Sequence, residues 1–221
     1  MDALNTNGYI GQRSHARWVT TIVAPLIVVS GARGATAGNT GADWSGPVYR
    51  ITDGALSTQT VPGSPTTITR DDSRVRFTFD TSELEPMHAY TVWLVVWNFP
   101  EFCQDPDEHR GFRCGQGDVL NVTAGFSIVW GTGDVAGASA RRFEGEREAL
   151  DPERAFGPGL LDPQGAEIHL ALRDHGPCST DEAACDDQVS THDGGCSNPM
   201  FLGLEGRPGD YECTQIQATG Y

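Results

Sequence analysis

The stretch "YTVWLVVW", Tyr90 to Trp97, decides the fold. It is apolar at nearly every position and rich in aromatic and β-branched side chains, which suit a pleated sheet better than a helix face. A run apolar at both parities has two hydrophobic faces, so it predicts a central strand covered on both sides. Outward from it the period becomes two. "RVRFTF" (Arg74 to Phe79), "FSIVW" (Phe126 to Trp130) and "IHLALR" (Ile168 to Arg173) alternate apolar with polar residues, as half-buried strands do. Val48 to Thr52 and Thr214 to Ala218 are weaker strand candidates. The clusters "VPGSP", "NFPE", "GTGD" and "DPQG" between these runs read as turns. Glu144 to Ala155 has a helix-compatible composition, but Pro152 limits it to a turn or two. Short strands, Gly/Pro turns and almost no helix signal predict an all-β fold, an antiparallel β-sandwich, with a β-barrel as the competing architecture.

The N-terminus reads differently. Arg13, His15 and Arg17 form a basic lead, Trp18 to Val29 is apolar apart from Thr20, Thr21 and Pro25, and Ala35-Thr36-Ala37 gives an A-x-A cleavage pattern. The apolar run falls short of the ~20 residues a membrane span needs. Residues 1–37 are therefore expected to be a signal peptide, leaving 38–221 as a single secreted or periplasmic β domain. Of 15 basic and 30 acidic side chains, Arg13, Arg17, Arg33 and Asp2 lie in the leader, and the chain has no lysine. So acidic a surface disfavours nucleic acid and anionic lipid, both of which require clustered cations. The mature chain is expected not to insert into a membrane, and its partner to be an unidentified extracellular ligand or protein.

All six cysteines follow the leader, and an even count in an exported chain implies disulfides. Proximity suggests Cys103–Cys114, Cys178–Cys185 and Cys196–Cys213, while zinc would require tight C-x2-C pairs that the sequence lacks. The loops so closed hold acidic clusters, Asp105, Asp107 and Glu108, then Asp181, Glu182, Asp186 and Asp187. Neither has EF-hand spacing, so both are expected to be solvated tips.

On the strand at 168–173, Ile168, Leu170 and Leu172 point to the core and Glu167, His169 and Arg173 point away. These three are candidate surface-site residues on a solvated face, so His169→Thr is expected to shift stability by less than about 0.5 kcal/mol. His169 and His175 would lie about 20 Å apart on an extended chain, too far to share an ion. A copper or zinc centre from His88, His169 and His175, possessing redox activity or not, therefore requires folding to gather them. Neither G-x-S-x-G nor H-E-x-x-H occurs in the chain.

Three segments together, "HAYTVWLVVWNFPEFC", "GAEIHLALRDHGP" and "GGC" with a later cysteine, resemble a family of exported bacterial β-rich proteins. The pattern is His-Ala-Tyr-Thr-hydrophobic-Trp, then Asn-x-Pro-Glu-x-Cys, then Ala-Glu-Ile-His with His-Gly-Pro, over Met87 to Gln217. The resemblance implies export and a β-rich domain, with no named activity. Its motif positions here are His88, Trp93, Asn98, Pro100, Cys103, Glu167, His169, His175 and Cys196. The chain departs from it in the Cys178–Cys185 loop and in having His192 where an aromatic is expected. Catalysis finds no motif, so the expected function is a secreted binding or surface-associated module. The copper or zinc metalloprotein is the alternative.

Overall fold

A computed structural model describes residues 44–108, 110–151, 153–201 and 203–220; the expected signal peptide lies outside the described residues. Nine strands form one sheet: β1 (Trp44–Thr52), β2 (Ala55–Arg70), β3 (Arg74–Thr81), β4 (His88–Trp97), β5 (Phe126–Val135), β6 (Arg141–Glu148), β7 (Ala155–Phe156), β8 (Glu167–Pro177) and β9 (Thr214–Gly220). Their order is β6-β3-β2-β1-β9-β8-β4-β5-β7, and every ladder is antiparallel. One helix, α1 (Glu182–Ser190), and two short 3-10 turns complete the described elements. No helix among the described residues is long and apolar enough to cross a membrane.

The sheet curls so that its halves enclose one apolar core. Val75, Phe77 and Phe79 of β3 pack with Tyr90, Val92, Leu94 and Val96 of β4 and with Ile168, Leu170 and Leu172 of β8. The expected two-layer β architecture is present, with both layers drawn from a single sheet. Where β5 meets β6 on the open side, the Arg147 guanidinium donates to the carbonyls of Trp130 and Gly131.

The other face of β4 and β5 is covered as well. Trp93, Trp97, Phe126 and Ile128 form a second cluster with Cys114, Phe201 and Leu204, which arrive from loops. "YTVWLVVW" is thus buried on both sides, as its composition requires. Those loops are closed by Cys103–Cys114 and Cys196–Cys213, and Cys178–Cys185 ties β8 to α1, with Cα separations of 5.2, 5.3 and 5.1 Å.

Three local expectations fail, each for a physical reason. "GTGD" lies inside β5, not in a turn. A Cβ on Gly131 would come within 2.8 Å of the Phe77 ring, and one on Gly133 would run into the Val189 carbonyl, so these glycines permit close approach. "VPGSP" is an irregular insertion within β2, where pairing jumps from Pro47↔Pro65 to Tyr49↔Thr60, a bulge and not a reversal. The helix-compatible stretch from Glu144 begins inside β6, a polar edge strand with Phe143 buried, held to β3 by the Arg74–Glu146 and Arg142–Asp80 ion pairs. By contrast, the weak candidates at 48–52 and 214–218 fall within β1 and β9 and pair with each other at Tyr49↔Ala218. The hairpin joining β1 to β2 turns on Asp53-Gly54, with φ of 53° and 75°, as a two-residue loop demands.

Candidate functional site

The outward face of β8 carries the polar residues that the alternation placed there, but it is not solvated. Glu167 is 6% exposed, Arg173 1% and His175 0%. The disulfide-closed loops between β4 and β5 and between α1 and β9 lie over this face. The expectation of a charged strand surface in water is therefore corrected: the face is a buried polar layer beneath two loops.

At one end, β8 and β4 register His169 opposite Val95 and Glu167 opposite Trp97. The His169 ring stands against Trp97 and Phe112, with ring centroids 4.8 and 4.4 Å away. Its Nε2 lies 3.0 Å from Glu167 Oε1. The Glu167 carboxylate also accepts the backbone N–H groups of Arg113 and Cys114, each at 2.9 Å, so it pins the disulfide loop. Burial pushes the Glu167 carboxyl up, but the His169 hydrogen bond and charge and the two N–H groups outweigh it and hold it below the ordinary value. With Nε2 engaged by Glu167, Nδ1 is the ring nitrogen left to meet a ligand. No hydrogen bond engages Nδ1 among the described residues.

His169 lies in a cleft of about 880 Å³. The floor is the outer face of the sheet, including Val95, Trp97, Ile128 and Ala171; the walls are the β1–β2 hairpin and the loop from Asp105 to Val119. Arg110 straps the walls together, donating to the carbonyls of Leu56 and Ser57 at 3.2 and 2.5 Å while pairing with Asp107 and lying over the Tyr49 ring. Gln116 adds a bond to the Gly54 carbonyl at 3.1 Å. In the first acidic cluster Asp107 is thus tied into the wall by Arg110, while Asp105 and Glu108 are exposed, as expected of a solvated tip. In the second, Asp181 caps α1 through the Ala184 N–H at 2.8 Å, and Asp187 accepts the Arg207 N–H.

At the other end of the strand, Arg173 sits 3.2 Å from Asp193 Oδ1, which His192 Nδ1 also meets at 2.8 Å. Asp193 Oδ2 accepts from the Met200 N–H at 2.9 Å. The His175 bonds run in one direction: Trp93 Nε1–H to Thr91 Oγ1 at 2.7 Å, Thr91 O–H to His175 Nε2 at 2.7 Å, and His175 Nδ1–H to the Gly194 carbonyl at 2.9 Å. That order requires a neutral imidazole, and burial pushes its pKa down to about 3. His192 Nε2 and Arg173 Nε have no partner among the described residues.

The structure does not bring His88, His169 and His175 together. His88 Nδ1 pairs with Asp174 at 3.0 Å, beside the Tyr211 ring, while His169 and His175 keep the separate partners just given. Among the described residues, the group whose three candidate ligand atoms lie within 4.8 Å of one another is His175, Cys196 and Cys213. Its sulfurs are joined in a disulfide, both ring nitrogens are hydrogen-bonded, and the Arg173 guanidinium lies 3.8 Å from Cys196 Sγ. A cation there would have to displace all three arrangements, because ligation takes thiolates and a free imidazole nitrogen.

Comparison with protein-family models, with curated proteins and with solved structures returns no match. Sequence reasoning found Glu167, His169 and Arg173 by strand parity. It missed Arg110, Phe112 and Asp193, whose roles depend on loops that fold back from distant positions; the aromatic and arginine within the Cys103–Cys114 loop were the one available signal.

Proposed function

We propose that the protein is an exported binding module whose ligand is a small molecule seated in the cleft over His169. The observation that carries this is the cleft itself: about 880 Å³, aromatic at its base, with one imidazole oriented by a buried carboxylate. Ligand sites take this form, a mostly apolar concavity with few fixed polar groups, usually of roughly 300–1,000 Å³. Export is supported by the three disulfides, which persist in oxidising compartments. Binding without catalysis fits the imidazole's surroundings: among the described residues its one hydrogen bond is to Glu167, and no serine, threonine or cysteine nucleophile is bonded to it.

The test is saturable uptake of a neutral hydrophobic fluorophore, N-phenyl-1-naphthylamine, by the full chain. Thr58 is exposed and lines the cleft, so Thr58→Trp fills it at little cost to the core. One-to-one binding is expected, weakened at least about tenfold by Thr58→Trp, a change of roughly 1.4 kcal/mol. Absence of saturable binding, or equal binding by a folded Thr58→Trp protein, would overturn the proposal.

A further inference from the structure

We infer that the cleft takes a small organic cation, an ammonium or amidinium group carried on an apolar body; this rests on the binding reading above. The charged residues among the described cleft lining are Asp105, Asp107, Glu108 and Arg110, an excess of two negative charges. Arg110 is not available to an anionic ligand. One arm of its guanidinium pairs with Asp107, the other donates to the carbonyls of Leu56 and Ser57, and its face covers Tyr49. Removing Arg110 from the wall to meet a carboxylate or phosphate would break each of these contacts. Asp105 and Glu108 are exposed. Asp105 spends one oxygen on the Gly117 N–H at 2.7 Å, and no hydrogen bond or ion pair engages the Glu108 carboxylate among the described residues.

The base of the cleft suits the same ligand. Trp97, Phe112 and Phe126 present ring surface to an apolar body, and aromatic rings attract cations through their quadrupole. His169 Nδ1 has no hydrogen-bond partner among the described residues, and in a neutral ring it is the nitrogen that accepts an N–H from a ligand. The formal charge of −15 on the whole chain adds a long-range field of the same sign.

The experiment is competition against bound N-phenyl-1-naphthylamine at pH 7 with 4-phenylbutylamine, 4-phenylbutanol and 4-phenylbutyrate, which share a body and differ in charge. The amine is expected to displace the dye at concentrations at least about tenfold below the acid, with the alcohol between them. In Glu108→Gln the amine is expected to weaken by about threefold or more while the alcohol is unchanged. If the amine fails to displace the dye, the three compete equally, or the acid wins, the inference is overturned and the cleft reading stands. If the dye itself does not bind, the cleft reading fails and the inference with it.

Discussion

His169 has its ring against Trp97 and Phe112 and its Nε2 on Glu167, so exchanging it for threonine removes a part-buried hydrogen bond to a buried carboxylate and two aromatic contacts together. The cost expected is about 1–3 kcal/mol, not the few tenths of a solvated strand face. Urea denaturation of His169→Thr decides between them, and a loss below about 0.5 kcal/mol would restore the solvated reading. The sequence placed Glu167, His169 and Arg173 on a shared face because parity along a strand is local and period two. It misjudged their surroundings because the residues covering that face, among them Phe112 and Phe201, come from loops far away along the chain. Charge beside charge reads as surface, yet here each charge has a buried partner: Glu167 the loop N–H groups, Arg173 the Asp193 carboxylate.

Glycines in β5 set how closely its neighbours approach. A Cβ on Gly133 would strike the Val189 carbonyl, whereas one on Gly137, just beyond the strand, meets nothing within 4 Å. Gly133→Ala should therefore destabilise by about 1–3 kcal/mol, with Gly137→Ala within about 0.5 kcal/mol of wild type. Equal melting shifts in the two variants would show that α1 yields at no cost. The loop closed by Cys103–Cys114 carries Arg110 and Phe112, so replacing both cysteines by alanine should cost about 2–4 kcal/mol. It should also lower fluorophore affinity at temperatures where the variant remains folded; retained affinity would detach this loop from the cleft. The strands with clean alternation, β3 and β8, were legible because each has one apolar face, although in β8 the polar face is covered as well. β6 was not, since as an edge strand it is polar on most positions and its strand character comes from pairing with β3. Nor was α1: lacking an apolar stripe, it is held by the Asp181 cap, the Cys178–Cys185 bridge and Gln188, which donates to the carbonyls of His175 and Pro177.

Acidification tests the whole molecule, because two effects oppose each other. The formal charge is −15 at pH 7, so protonating carboxylates relieves repulsion and favours the folded state. Exposed charges, however, are screened beyond about 8 Å at physiological ionic strength. Against this stand His175 and His192, both buried and both pushed down, first by burial, then with Arg173 opposing their protonation; Gly194 and Asp193 offset part of this through hydrogen bonds. The unfolded chain takes up a proton at His175 near pH 6.5, and the folded chain only near pH 3. Between those values the unfolded state holds more protons, so stability is fully present above 6.5 and is lost as pH falls toward 3. Each unit of separation is worth more than 1 kcal/mol, which outweighs a screened surface field. Glu167 and Asp193, held below their ordinary values by hydrogen bonds that overcome burial, act later, losing their contribution only below about pH 4. Urea midpoints should therefore fall from pH 7 to pH 4. His175→Gln should be less stable at pH 7 yet show a shallower fall, because Gln has no proton to gain. A wild-type midpoint that rises between pH 7 and pH 5, or a slope unchanged in His175→Gln, would mean that surface charge, and not the buried histidine, governs the acid response.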